Sequence, residues 1–76
     1  MQELTQSQQI VLDAIVLLWE RQGYPPTQYE IAAETKKSPQ ATYFTIGILH
    51  KKGYIEKHKH KARSIRVMHT NGSENE

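Results

Sequence analysis

Two helix starts and a helix stop fall within residues 27–53, TQYEIAAETKKSPQATYFTIGILHKKG, and they leave that stretch little freedom in how it folds. Thr27 has an N-capping side chain and Glu30 stands three residues on, the spacing of a capping box. Ile31 and Ala32 supply a buried face until the polar run Thr35-Lys36-Lys37 interrupts it. Ser38 restarts the pattern as a second N-cap, with Pro39 at the first helical position, where a missing N–H costs nothing. Ala41/Thr42, Thr45/Ile46 and Ile48/Leu49 then recur at helical spacing, and Gly53 ends the run. A short capped helix over about 28–35, a tight joint and a second capped helix over about 39–52 predict a helix-turn-helix. The second helix of such a pair commonly enters the DNA major groove.

The flanking segments read as support for that helix. Thr5 and Gln8 form another capping box, opening a helix that runs to about Gln22 and stops at Gly23. Ile10/Val11, Ala14/Ile15 and Leu18/Trp19 make its apolar stripe, and Leu12, Val16 and Leu17 widen it. Two uses of that width stay open: more core for a small domain, or an exposed dimerisation patch of Leu12, Val16 and Trp19. Gly23-Tyr24-Pro25-Pro26 is a rigid connector through which helix cannot continue, and Tyr24 is expected to tuck its ring against the core. Beyond Gly53, residues 54–58 and 64–68 have the alternation of short strands, separated by a basic loop over 59–63. An isolated hairpin is marginal, so Ile55, Ile65 and Val67 should pack on the helices. The expected fold is α+β, mostly α: a winged helix-turn-helix, three helices followed by a two-stranded β-hairpin wing, over residues 1–69. Residues 70–76 lack apolar content and are expected to be a disordered C-terminal tail.

Charge divides the chain. Residues 1–35 carry one basic side chain, Arg21, against five acidic ones, net −4. Residues 36–66 carry nine lysines and arginines against Glu56 alone, net +8, and the remainder adds −2. A basic segment on and after a helix-turn-helix points to a polyanion, most often nucleic acid. With no cysteine, neither disulfides nor thiolate zinc sites are available, and nothing at the start reads as a signal peptide or membrane span. A soluble cytoplasmic protein is the expectation. His58 and His60 are two apart on a strand edge, yet flanking lysines repel a cation and no carboxylate or cysteine completes a ligand set. No nucleophile–base spacing or glycine-rich phosphate loop is present, so the reading excludes an enzyme, a metal, a cofactor and a small-molecule substrate.

On a helix beginning at Pro39, Thr42, Ile46 and Leu49 best fill the inward positions, leaving Gln40, Ala41, Tyr43, Phe44 and Gly47 outward and Ser38 at the start. Gln40 suits a bidentate contact to adenine and Ala41 a thymine methyl. Tyr43 and Phe44 either complete the core or make apolar contact with bases or the sugar-phosphate edge. Thr27, Gln28, Tyr29 and Ser38 lie near helix N-termini, where free N–H groups favour phosphate. Lys36, Lys37, Lys51 and Lys52 flank the motif, and Lys57, Lys59, Lys61, Arg63 and Arg66 decorate the wing. They should supply salt-dependent affinity with little sequence information, and Arg63 could enter a narrow minor groove.

Leu4-Thr5-x-x-Gln8-Gln9, Gly23-x-Pro25-Pro26-Thr27, Glu30-Ile31-Ala32, Ser38-Pro39 and Lys52-Gly53-x-Ile55-Glu56 occur in this order. In that order and spacing they resemble the N-terminal DNA-binding domain family of LexA repressors, over about residues 1–68. The resemblance implies a winged helix-turn-helix that binds operator DNA through its third helix and wing, with base contacts mapping onto Ser38, Gln40, Ala41, Tyr43 and Phe44. The chain departs from that family where Tyr43 and Phe44 replace acidic or polar residues, and in an inter-helix turn one residue shorter, with Thr35 and Lys36 where leucine and glycine are usual in winged helices. The resemblance also implies a following self-cleaving peptidase domain that dimerises the protein. This sequence ends before one, so the expectation is weak monomeric binding, dimerisation through the helices, or recruitment by a co-regulator. The function expected is a sequence-specific double-stranded DNA-binding transcriptional repressor. Two alternatives are a winged-helix module that binds a regulator or polymerase subunit, and a sequence-tolerant nucleic-acid binder.

Overall fold

Each helix begins where a side chain satisfies its first free N–H groups. The structure, a computed structural model, describes residues 3–57 and 65–68. Helix α1 spans Gln6–Gln22, α2 Gln28–Thr35 and α3 Pro39–Lys51. Strands β1 (Ile55–Glu56) and β2 (Arg66–Val67) follow and pair antiparallel. Both expected capping boxes form. The Gln8 N–H donates to Thr5 Oγ1 (3.2 Å) while the Thr5 N–H donates to Gln8 Oε1 (3.1 Å). Thr27 and Glu30 exchange the same pair of bonds at 3.1 and 2.9 Å. At α3 the Ala41 N–H donates to Ser38 Oγ (3.1 Å), and Pro39 stands in the first turn. Ser, Thr or Asn at such a position is worth about 1 kcal/mol over alanine.

All three helices are followed by a left-handed residue: Gly23 (φ 84°), Lys36 (φ 59°) and Gly53 (φ 89°). After α2 the Lys37 N–H returns to the Ala32 carbonyl and the Lys36 N–H to the Ala33 carbonyl, at 3.1 and 3.3 Å. These are the two bonds of a Schellman turn, and they terminate α2 in two residues. After α3 the Tyr54 and Gly53 N–H groups bond the Leu49 and His50 carbonyls in the same way. That turn stops α3 at Lys51, one residue before the sequence-based bound, with Lys52 as its cap.

The helices pack each against the other two, and β1 lies against α3. Val11, Leu12, Ala14, Ile15 and Leu18 of α1 meet Ile31 of α2, Ile46 and Leu49 of α3, and Tyr54, Ile55 and Ile65 around the wing. Leu4 and Val67 close the edges. Burying a side chain of this size is worth about 1.5–3 kcal/mol, so the wing residues are held by the helices rather than by their short ladder.

One open alternative closes and two expectations need correction. Leu12 is buried, so it cannot belong to an exposed patch with Val16 and Trp19, both of which are half-buried. Ile10 and Leu17 are instead the outward apolar residues of α1, because Val11 points to the centre of the core and its neighbour turns about 100° away. Tyr24 is 47% exposed rather than tucked in: the left-handed turn at Gly23 carries it outward, and Pro26 is the connector residue that is buried. Among the described residues the ladder is also shorter than the alternation implies, pairing Ile55 with Val67 and Glu56 with Arg66. The Met68 N–H adds one bond to the Tyr54 carbonyl at 2.8 Å. The basic loop over 59–63 and the tail over 70–76 lie outside the described residues.

Candidate nucleic-acid interface

Helix α3 is oriented by three side chains. Thr42, Ile46 and Leu49, at i, i+4 and i+7, are all buried, so the opposite face is presented to solvent. Gln40, Ala41, Tyr43 and Phe44 occupy it, as the spacing predicts, with Gly47 half-buried one turn further on. Tyr43 is 54% and Phe44 71% exposed, which removes the reading in which the aromatic pair completes the core. The inner face of α3 is already filled, so an exposed aromatic pair on its outer face is an informative feature of the surface.

The start of α2 lies beside the start of α3. Gln28 and Tyr29 from the former and Pro39, Gln40 and Tyr43 from the latter line a shallow groove of about 300 Å³. Thr27 Oγ1 and Ser38 Oγ each accept a backbone N–H at their caps, which leaves the hydroxyl proton as the group able to reach an anion. Tyr29 is 67% exposed at the same edge. In the turn Lys36 is exposed and Lys37 half-buried.

The root of the wing reaches back to this surface. The Lys57 ammonium stands over the Tyr43 ring, 4.5 Å from its centroid. Arg66 is exposed on β2, opposite Glu56. Lys59, Lys61 and Arg63, with His58 and His60, lie outside the described residues. Lys51 is exposed, but Lys52 has an internal role that sequence reasoning missed. Its ammonium donates to Gln8 Oε1 (2.7 Å) and to the Glu3 carbonyl (2.9 Å), tying the end of α3 to the cap of α1. Nothing local marks Lys52 for this, because its partners are more than forty positions away. Lys57 was equally hidden among the basic residues of the wing. Among the described residues no three His, Cys, Asp or Glu side chains converge as a metal site, and no helix is long and apolar enough to cross a membrane.

Residues 1–64, covering all three helices and the first strand, match the family model of the LexA DNA-binding domain. The chain belongs to the LexA DNA-binding domain family. It is 40% identical over 67 residues to the LexA repressor of Thermotoga petrophila, 88% of this chain and 34% of that protein. The LexA repressor of Thermosipho africanus is 37% identical over 68 residues, and that of Desulfatibacillum aliphaticivorans 39% over 71, covering 90% and 92% of this chain. The chain thus spans about a third of the length of the LexA repressors it matches. The matched part is the DNA-binding, non-catalytic part of the LexA architecture. In this LexA-type domain α2 and α3 form the helix-turn-helix, and the antiparallel strands form the wing root.

Proposed function

We propose that the protein is a sequence-specific transcriptional repressor that binds duplex DNA in the cytoplasm with α3 in the major groove and the wing along the neighbouring backbone. The observation that carries this reading is the exposed, uncharged outer face of α3, flanked by lysines on the turn and the wing. Gln40, Ala41, Tyr43 and Phe44, with Ser38 at the helix start, are the base-contacting set. Thr27, Gln28, Tyr29, Lys36, Lys37, Lys51 and Arg66, together with Lys59, Lys61 and Arg63, are the phosphate-contacting set. Lys52 ranks last among these contacts, because its ammonium already has two acceptors within the protein. Residues 1–69 are the binding unit. Occupying a promoter suffices for repression, and a second copy or a co-regulator would add the affinity that one small module lacks.

A second reading, a protein-binding winged helix, draws on the same exposed aromatic residues. Selection from a random duplex library at near-physiological salt separates the two. An enriched motif is the expected result, and its symmetry reports whether two copies bind together. Gln40→Ala and Tyr43→Ala should relax that motif. Lys59→Ala with Lys61→Ala should weaken all duplexes alike and lower the salt slope by about one for each phosphate no longer neutralised. No retention even at low salt would leave the protein-binding reading.

A further inference from the structure

We propose that α3 reads thymine: Phe44 and Ala41 press on thymine 5-methyl groups, so the preferred half-site is built around A·T pairs. This rests on α3 being the recognition helix. From Pro39 to Leu49 the helix contains no Lys, Arg, Asp or Glu, and its first lysine, Lys51, comes at its end. The commonest specific reader of guanine, a bidentate arginine or lysine, is therefore missing from the outward face. Cytosine is read by a carboxylate accepting from its amino group, and that is missing too.

What the face offers instead is apolar. Phe44 is 71% exposed and Ala41 is exposed one turn before it, so the two share a strip along the helix. Tyr43 beside them is held toward the wing by the Lys57 ammonium, 4.5 Å from its ring. That leaves Phe44 as the forward aromatic group. A benzyl side chain entering the major groove meets N7, O6, O4 and amino groups, whose desolvation against a ring is unfavourable. The projecting apolar group it can cover is the thymine methyl. Gln40, four residues before Phe44 and on the same side, matches the N6/N7 edge of adenine.

Replacing thymidine by deoxyuridine removes the methyl and leaves the hydrogen-bonding edge intact, so it tests the contact from the DNA side without touching the fold. The duplex enriched by selection would be remade with deoxyuridine at each thymidine in turn, and its affinity measured for the unaltered protein and for Phe44→Ala. The expected result is roughly a three- to fivefold loss at each methyl that becomes buried. Phe44→Ala should lose affinity for the parent duplex and no longer distinguish it from the deoxyuridine form at the position Phe44 covers. An enriched motif whose affinity ignores every deoxyuridine, or a Phe44→Ala protein with the same methyl sensitivity, overturns this inference while the DNA-binding reading stands. Failure to retain any duplex overturns both.

Discussion

The Lys57 ammonium and the Tyr43 ring, 4.5 Å apart, join the root of the wing to the outward face of α3 through side chains. The pair couples the wing, proposed above to meet phosphate, to the helix proposed to read bases. At a site this exposed a cation–π contact is worth about 0.5–1 kcal/mol. Urea unfolding of Lys57→Ala, Tyr43→Ala and the double variant should give a coupling energy in that range. Strict additivity would mean that the contact is not populated in solution.

Thr42 is fully buried in the three-helix core, and its hydroxyl oxygen has no hydrogen-bond partner among the described residues. A buried hydroxyl without a partner loses its hydration without replacement. Thr42→Val keeps the shape and should therefore raise the unfolding free energy by about 1 kcal/mol. The readout is the urea midpoint at unchanged slope. A lower midpoint would show that a bound water serves the hydroxyl.

Lys36 adopts φ 59° where α2 ends, a left-handed conformation that costs a residue with a Cβ about 1–2 kcal/mol and glycine little. Lys36→Gly should thus stabilise the fold by about 1 kcal/mol. If Lys36 also meets phosphate, the same change should lower the salt slope of DNA binding by about one. Greater stability with weaker binding would show strain retained for a contact outside the protein.

Lys51 and Lys52 are adjacent and alike in sequence, but should respond differently. Lys52→Ala removes two bonds to the N-terminus of α1 and should destabilise the protein by about 1–2 kcal/mol, with faster amide exchange in the first turn of α1. Lys51→Ala should leave stability within about 0.5 kcal/mol and weaken binding to all duplexes alike. Equal stability losses in the two variants would contradict this division of labour.

The helices, their caps and their joints were legible because the information is local. A capping box such as Thr27–Glu30 closes within four residues, and Ser38-Pro39 specifies a helix start before any tertiary contact forms. The inward set Thr42, Ile46 and Leu49 follows from spacing once the helix is given. Local patterns failed where two adjacent apolar residues competed for one inward direction, as at Ile10 and Val11, or where a turn set the exit angle, as at Tyr24.

By itself, then, the sequence determined the three helices, the wing that follows them, the uncharged outer face of α3 and the concentration of positive charge after Lys36. Only the tertiary structure decided which cations lie within reach of which groups. Lys52 is drawn to the cap of α1 and Lys57 to the ring of Tyr43, whereas Lys51 is exposed to solvent. The reason is physical: backbone capping and helical periodicity act over a few residues. The partner of a long, flexible ammonium side chain is chosen by whichever acceptor or ring the packed helices bring close to it.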